Sequence, residues 1–132
     1  AVCADGIMQR FWRDDAHGFV WKAAETFGAN VTSPPIMIES AFGESDETVQ
    51  GNYELVVAVG GAIQHWWRAN TGNQAWACSA TFGQNVSRVV GLLEGSYGFN
   101  LEVVAARTDG QLQHFWRDGS GWHDGVIIGP GT

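Results

Sequence analysis

Apolar and polar positions along this chain follow short alternating runs, separated by glycine, asparagine and aspartate. The middle of the sequence displays them best. Asn52 to Val59 is a β-branched run, Gly60-Gly61 supplies a hairpin turn, and Ala62 to Asn70 carries a cluster of aromatic residues. Ala75 to Phe82 follows, then a loop through Asn85, then Val89 to Tyr97. The pattern resumes with Leu101 to Arg107, a turn at Asp109-Gly110 and Leu112 to Asp118, and Asp5-Gly6 is the matching turn near the start. No stretch sustains an apolar period of 3.6, so the pattern predicts antiparallel strands and essentially no helix.

The runs are copies of one another. Gln9-Arg10-Phe11-Trp12-Arg13-Asp14, Gln64-His65-Trp66-Trp67-Arg68-Ala69 and Gln113-His114-Phe115-Trp116-Arg117-Asp118 are versions of one motif. An offset of 55 residues relates Trp12 to Trp67 and also matches Trp21 to Trp76, Thr26-Phe27-Gly28 to Thr81-Phe82-Gly83, and Phe42-Gly43 to Tyr97-Gly98. From Trp67 to Trp116 the offset falls to 49, chiefly because the acidic linker Glu44 to Gly51 has no counterpart after Gly98.

A unit of about 50 residues with four antiparallel strands and a tryptophan signature has the size of a propeller blade. The expected fold class is therefore all-β: one β-propeller region over 1–132, with blades at approximately 1–43, 50–98 and 99–132. The first blade lacks the opening of its first strand, and the third stops after its third strand. Three blades cannot close a ring that needs four to eight. Either two chains associate into a six-bladed homo-oligomer, the favoured expectation, or the remaining blades belong to a longer polypeptide. A blade left open would expose an apolar face, which also predicts association. A single-chain sandwich of about eleven strands is the alternative.

Composition agrees with this reading. Seven Trp, seven Phe and two Tyr accompany 18 Gly, and Lys22 is the single lysine, a balance that disfavours a helical bundle. A net charge of −7 lacks the footprint of a nucleic-acid binder and would be repelled by an anionic membrane, so a neutral ligand fits better. The longest apolar stretches, such as Leu55 to Val59, are too short to cross a bilayer, so the chain reads as soluble, with secretion open. The start at Ala1 reads as processing or truncation. Cys3 and Cys78 each stand where a repeat has alanine, which favours buried free thiols over a pair.

The repeated strand also carries candidate chemistry. Side chains alternate along it, so Gln64, Trp66 and Arg68 share one face while His65 and Trp67 share the other. One reading is packing between blades, with Trp12, Trp67 and Trp116 as core and the arginines stacked or bridged. The other is saccharide binding: an aromatic platform meets the C–H face of a sugar while Arg, Gln, His or Asp hold its hydroxyls. Candidates are Trp12, Arg13, Trp21, His65, Trp67, Arg68, Trp76, His114, Trp116, Arg117 and Trp122, with Trp21, Trp76 and Trp122 the more exposed platforms. Weak sites repeated around a ring gain through multivalency.

Other chemistries find less support. His17, His65, His114 and His123 have no zinc spacing, and Arg10 replaces His65 in the first repeat, so no metal is expected. No Gly-x-Ser-x-Gly elbow occurs, and the repeats offer no catalytic asymmetry, so no enzyme is expected. Glu54 and Glu102 occupy equivalent positions, where capping a turn or pairing with a repeated arginine is the expected role. Asn30-Val31-Thr32 and Asn85-Val86-Ser87 satisfy the glycosylation sequon, but both follow from one structural need for Asn in that loop. The acidic stretch Glu44-Ser45-Asp46-Glu47 reads as a solvated linker.

The aromatic-Trp-Arg-Asp strand, the following Trp, the Thr-Phe-Gly turn and the Tyr-Gly leading into Asn100-Leu101-Glu102-Val103-Val104 resemble tandem-repeat β-propeller proteins of the fungal and bacterial lectin-like kind. The resemblance spans Gln9 to Gly43, Gln64 to Gly98 and Leu101 to Trp122. It implies a propeller fold and multivalent carbohydrate binding at shallow sites between blades, as with fucose, N-acetylglucosamine or methylated sugars. Calcium loops of the Asp-x-Asp-x-Asp-Gly type, carried by some such lectins, are missing, so no cofactor is implied. The alternative is a non-catalytic protein-interaction or structural propeller fragment of a larger protein.

Overall fold

A computed structural model of the chain describes residues 1–2, 4–41 and 51–130. Cys3, Phe42-Gly43 and the acidic linker over 44–50 lie outside the described residues. Among the described residues ten strands and no helix form: β1 (Met8–Asp14), β2 (Val20–Phe27), β3 (Ile36–Glu39), β4 (Tyr53–Val59), β5 (Ala62–Arg68), β6 (Ala77–Phe82), β7 (Val86–Glu94), β8 (Leu101–Arg107), β9 (Leu112–Asp118) and β10 (Gly121–Ile128). The protein is all-β with antiparallel sheets.

The strands form a two-stranded sheet β1-β2 and two four-stranded meanders, β3-β4-β5-β6 and β7-β8-β9-β10. Their grouping differs from the expected one. The fourth run of the middle repeat, β7, pairs not with β6 but with β8, from Glu94 opposite Leu101 to Val86 opposite Arg107. Likewise β3, at the end of the first repeat, pairs with β4. Each four-stranded sheet thus takes its first strand from the preceding repeat, and the aromatic motif forms its third strand rather than its second. The third repeat has three strands, as expected, and its sheet is nonetheless four-stranded because β7 joins it.

Turn chemistry explains the hairpins. Gly60 and Gly61 both adopt positive φ, 59° and 83°, the geometry that returns β4 into β5 with Val59 opposite Ala62. In the repeated Thr-Phe-Gly turn, Gly28 and Gly83 have φ of 76° and 75°, and a Cβ at Gly83 would lie 3.0 Å from the Phe115 ring. Asn30 and Asn85 share φ 57°, a left-handed conformation that asparagine tolerates better than most residues, so the recurrence of Asn has its backbone cause.

The middle sheet buries both faces, which is why Leu55 to Val59 reads as an unbroken apolar run. One face packs Val56, Ala58 and Ile63 against Val86, Val89, Val103, Ala105 and Phe115 of the third sheet. The other packs Leu55 and Val57 against Met8 and Val31, with Trp66 and Trp76 alongside. In β8 and β9 only alternate residues are buried, including Val103, Ala105 and Phe115, so the far face of the third sheet remains uncovered. Cys78 is exposed rather than buried, because it stands on the outer strand β6.

Candidate functional site

Among the clefts between consecutive sheets in the described residues, two are lined by the same pair of residue types; a third, of about 240 Å³ and mostly apolar, is bordered by Phe27 and Trp76. Between the first and middle sheets, Trp12 of β1 and Arg68 of β5 border a cleft of about 360 Å³, together with Arg10, Tyr53, Asn70 and Gln74. Between the middle and third sheets, Trp67 of β5 and Arg117 of β9 border one of about 260 Å³, with Asn52, Glu54 and Ser79. Trp12 and Trp67 are repeat equivalents, as are Arg68 and Arg117. Each cleft therefore takes its tryptophan from one sheet and its arginine from the next.

The first cleft is framed by charge. The Arg68 Nε donates to the Gln74 carbonyl at 2.8 Å and its Nη2 to Gln74 Oε1 at 2.8 Å, which fixes the guanidinium 5.5 Å over the Tyr53 ring. Arg10 forms a two-pronged contact with Glu25 at 2.7 and 3.0 Å, and the Trp76 indole N–H donates to the same carboxylate at 3.0 Å. Arg10 foremost, with a smaller contribution from the Arg68 charge, holds the Glu25 carboxyl below its ordinary range. The Lys22 ammonium lies 5.2 Å from the Trp12 ring and 2.6 Å from Asp14, and it depresses the Asp14 carboxyl with help from His17.

The second cleft is more deeply set. Glu54 is fully buried and contacts His65 Nε2 at 2.6 Å, accepts from Ser40 Oγ at 3.0 Å and lies 3.7 Å from Arg117 Nη1. Burial pushes the Arg117 guanidinium down, while Glu54 and Glu94 oppose that shift. The expected role of Glu54 is thus partly replaced: it pairs first with a repeated histidine. Glu102 and His114 make the same pair on the uncovered face of the third sheet.

The remaining candidates divide. Trp21 is 67% exposed, as the sequence indicates, whereas Trp76 and Trp122 are partly buried. Trp76 stacks on Phe27 with centroids 4.6 Å apart, and Trp122 on Phe82 at 4.1 Å, so both bind sheets together rather than stand as open platforms. Trp116 stacks on His123 at 4.0 Å, and Arg13 pairs with exposed Asp15 at 2.6 Å; neither borders the two clefts. Sequence reasoning did not single out Asn52, Tyr53, Gln74 or Ser79. Arg10 was visible as the residue replacing His65, which was the available signal that the two clefts differ.

Compared with family models and curated proteins, the chain matches none. Among the described residues no helix is long and apolar enough to cross a membrane.

The depressed carboxylates set a direction for acid stability. Asp14, Glu25, Asp109 and Asp118 all sit below their ordinary values, Asp109 through Arg107 and Asp118 through Ser120 and then His123. A depressed carboxyl binds fewer protons folded than unfolded, so its stabilisation is present above the unfolded value and lost as pH falls through the folded one. The melting temperature should therefore fall as pH drops below about 4. Calorimetry showing rising stability on acidification would contradict this.

Proposed function

We propose that the protein is a carbohydrate-binding lectin whose two inter-sheet clefts each hold a neutral mono- or oligosaccharide. The observation that carries this reading is the recurrence of one Trp/Arg pair across both clefts, Trp12 with Arg68 and Trp67 with Arg117. The indole offers an apolar platform, and the guanidinium, with neighbouring amide side chains, offers donors for ring hydroxyls. The four-stranded meanders are propeller blades in this reading, and chains associate so that the blades close a ring, possible at six blades. Exposed apolar residues at both ends support association: Phe19, Val20 and Trp21 at 62%, 55% and 67%, and Val126, Ile127 and Ile128 at 66%, 49% and 48%. In such a ring Trp116 of one chain meets Arg13 of a second copy, completing a further site, and multivalency strengthens weak individual binding.

Titration calorimetry with methyl glycosides of fucose and N-acetylglucosamine tests the reading. Trp12→Ala should abolish binding at the first cleft and Trp67→Ala at the second, each with cooperative melting retained. Absence of saccharide binding by the folded wild type would favour the second reading, a non-catalytic interaction or structural propeller fragment. That alternative draws on the packing roles of Trp76 and Trp122. Mass measurement in solution decides whether chains associate.

A further inference from the structure

The repeats depart from one another at a chemically consequential position. Opposite the second residue of the motif, the outer strand carries a bulge, where Ala24, Ser79 and Gly125 are equivalent. In the middle repeat the bulge brings Ser79 Oγ to 2.6 Å from His65 Nδ1, and His65 Nε2 lies 2.6 Å from Glu54 Oε2. Ser40 Oγ donates to the other Glu54 oxygen at 3.0 Å. The first repeat has Arg10 and Ala24 at these positions. The third keeps its His114–Glu102 pair but presents Gly125, whose added Cβ would lie 2.7 Å from His114 Nδ1. At these equivalent positions, among the described residues, the middle repeat alone combines hydroxyl, imidazole and carboxylate; the exposed Ser120, His123 and Asp118 of the third repeat meet differently, with Ser120 and Asp118 both at the same ring nitrogen.

The order of these groups is that of a nucleophile, its base and an orienting acid. Glu54 accepts the N–H of Nε2, which leaves the Nδ1 lone pair directed at the Ser79 hydroxyl. Ser79 is exposed and borders the 260 Å³ cleft, whereas His65 and Glu54 are 1% and 0% exposed. The Arg117 guanidinium borders the same cleft and adds positive charge to its wall, 3.7 Å from Glu54.

We propose that Ser79 is an acyl-accepting nucleophile and that this cleft hydrolyses small carboxylic esters. Ser79 Oγ adds to the ester carbonyl carbon as its proton passes to His65 Nδ1. The ester C–O bond then breaks, and His65 returns the proton to the departing alcohol, leaving an acyl-serine. Water adds to that carbonyl, giving a proton to His65; Ser79 leaves, recovers the proton, and the carboxylic acid is released. Glu54 is a positioning residue that holds the imidazole tautomer. This cleft is also the second of the two proposed saccharide sites, but the inference stands on the Ser79, His65 and Glu54 geometry alone, and calorimetry with methyl glycosides reads saccharide binding separately.

A fluorophosphonate probe and p-nitrophenyl acetate test it on the whole chain. The expected result is stoichiometric labelling mapped to Ser79 by peptide mass, and none in Ser79→Ala. Hydrolysis should fall at least about 100-fold in that variant, the scale of base-assisted catalysis. Cooperative melting of Ser79→Ala checks that the variant is folded, since it also removes the Nδ1 partner of buried His65. In Glu54→Gln, a fall in kcat with KM unchanged would mark the positioning role. A cooperatively folded wild type that takes no label, a label on another residue, or Ser79→Ala hydrolysing at the wild-type rate would overturn the proposal.

Discussion

Glu54→Ala should lower folding stability by about 3–5 kcal/mol, the scale for removing a buried carboxylate from the groups that it faces. Glu54 is fully buried, pairs with His65 at 2.6 Å and lies 3.7 Å from Arg117. Its loss takes away the carboxylate that a buried imidazole and a largely buried guanidinium both face, and opens space behind them. Glu102→Ala is the internal comparison, since it removes the equivalent carboxylate from the equivalent histidine. There the two side chains are 31% and 33% exposed, solvent screens the pair, and the expected change is below about 1 kcal/mol. The same residue type in the same repeat position thus differs in worth because a sheet covers one pair and none covers the other. Denaturant unfolding of both variants decides the point: equal effects would show that coverage by the neighbouring sheet does not set the energetics. Association of chains over the uncovered face would raise the worth of Glu102 with protein concentration, so the pair of variants also reports assembly.

Much of this architecture was legible in the chain. The alternating runs and Gly60-Gly61 mark the β4-β5 hairpin, and the three copies of the aromatic motif mark β1, β5 and β9 as equivalent. What could not be read was the partner of β7. Adjacency in sequence places it with β6, but Gly83 at φ 75° and Asn85 at φ 57° turn the chain out of hairpin geometry. The Val86 N–H then donates to the Gly61 carbonyl at 2.9 Å, and β7 lies against β3, β4 and β5 while pairing edge to edge with β8. The clefts follow from that arrangement. A Trp/Arg motif within one strand suggests a site within one repeat, whereas the structure joins the tryptophan of one repeat to the arginine of the next. Ser79 was illegible for a similar reason: its approach to His65 depends on a bulge, and nothing in Ala77-Cys78-Ser79-Ala80 specifies where an extra residue is accommodated.

Phe115→Ala should cost about 3–5 kcal/mol, as expected for emptying a fully buried aromatic position. Phe115 is 0% exposed, meets Phe82 edge-on with centroids 5.5 Å apart, and closes against Gly83. Phe82 in turn stacks on Trp122, so the ring joins the middle and third sheets through an aromatic series. The backbone turn at Gly83 limits collapse into the vacated space, which places the cost above simple loss of apolar area. Phe115→Leu keeps most of the volume and should lose roughly half as much or less. Phe11 is the repeat equivalent on β1, yet it is 45% exposed, and Phe11→Ala should change stability by less than about 1 kcal/mol. Chemical denaturation of the three variants provides the measurement. Comparable losses for Phe11→Ala and Phe115→Ala would mean that the motif stabilises each repeat locally, instead of acting through the sheet that packs against it.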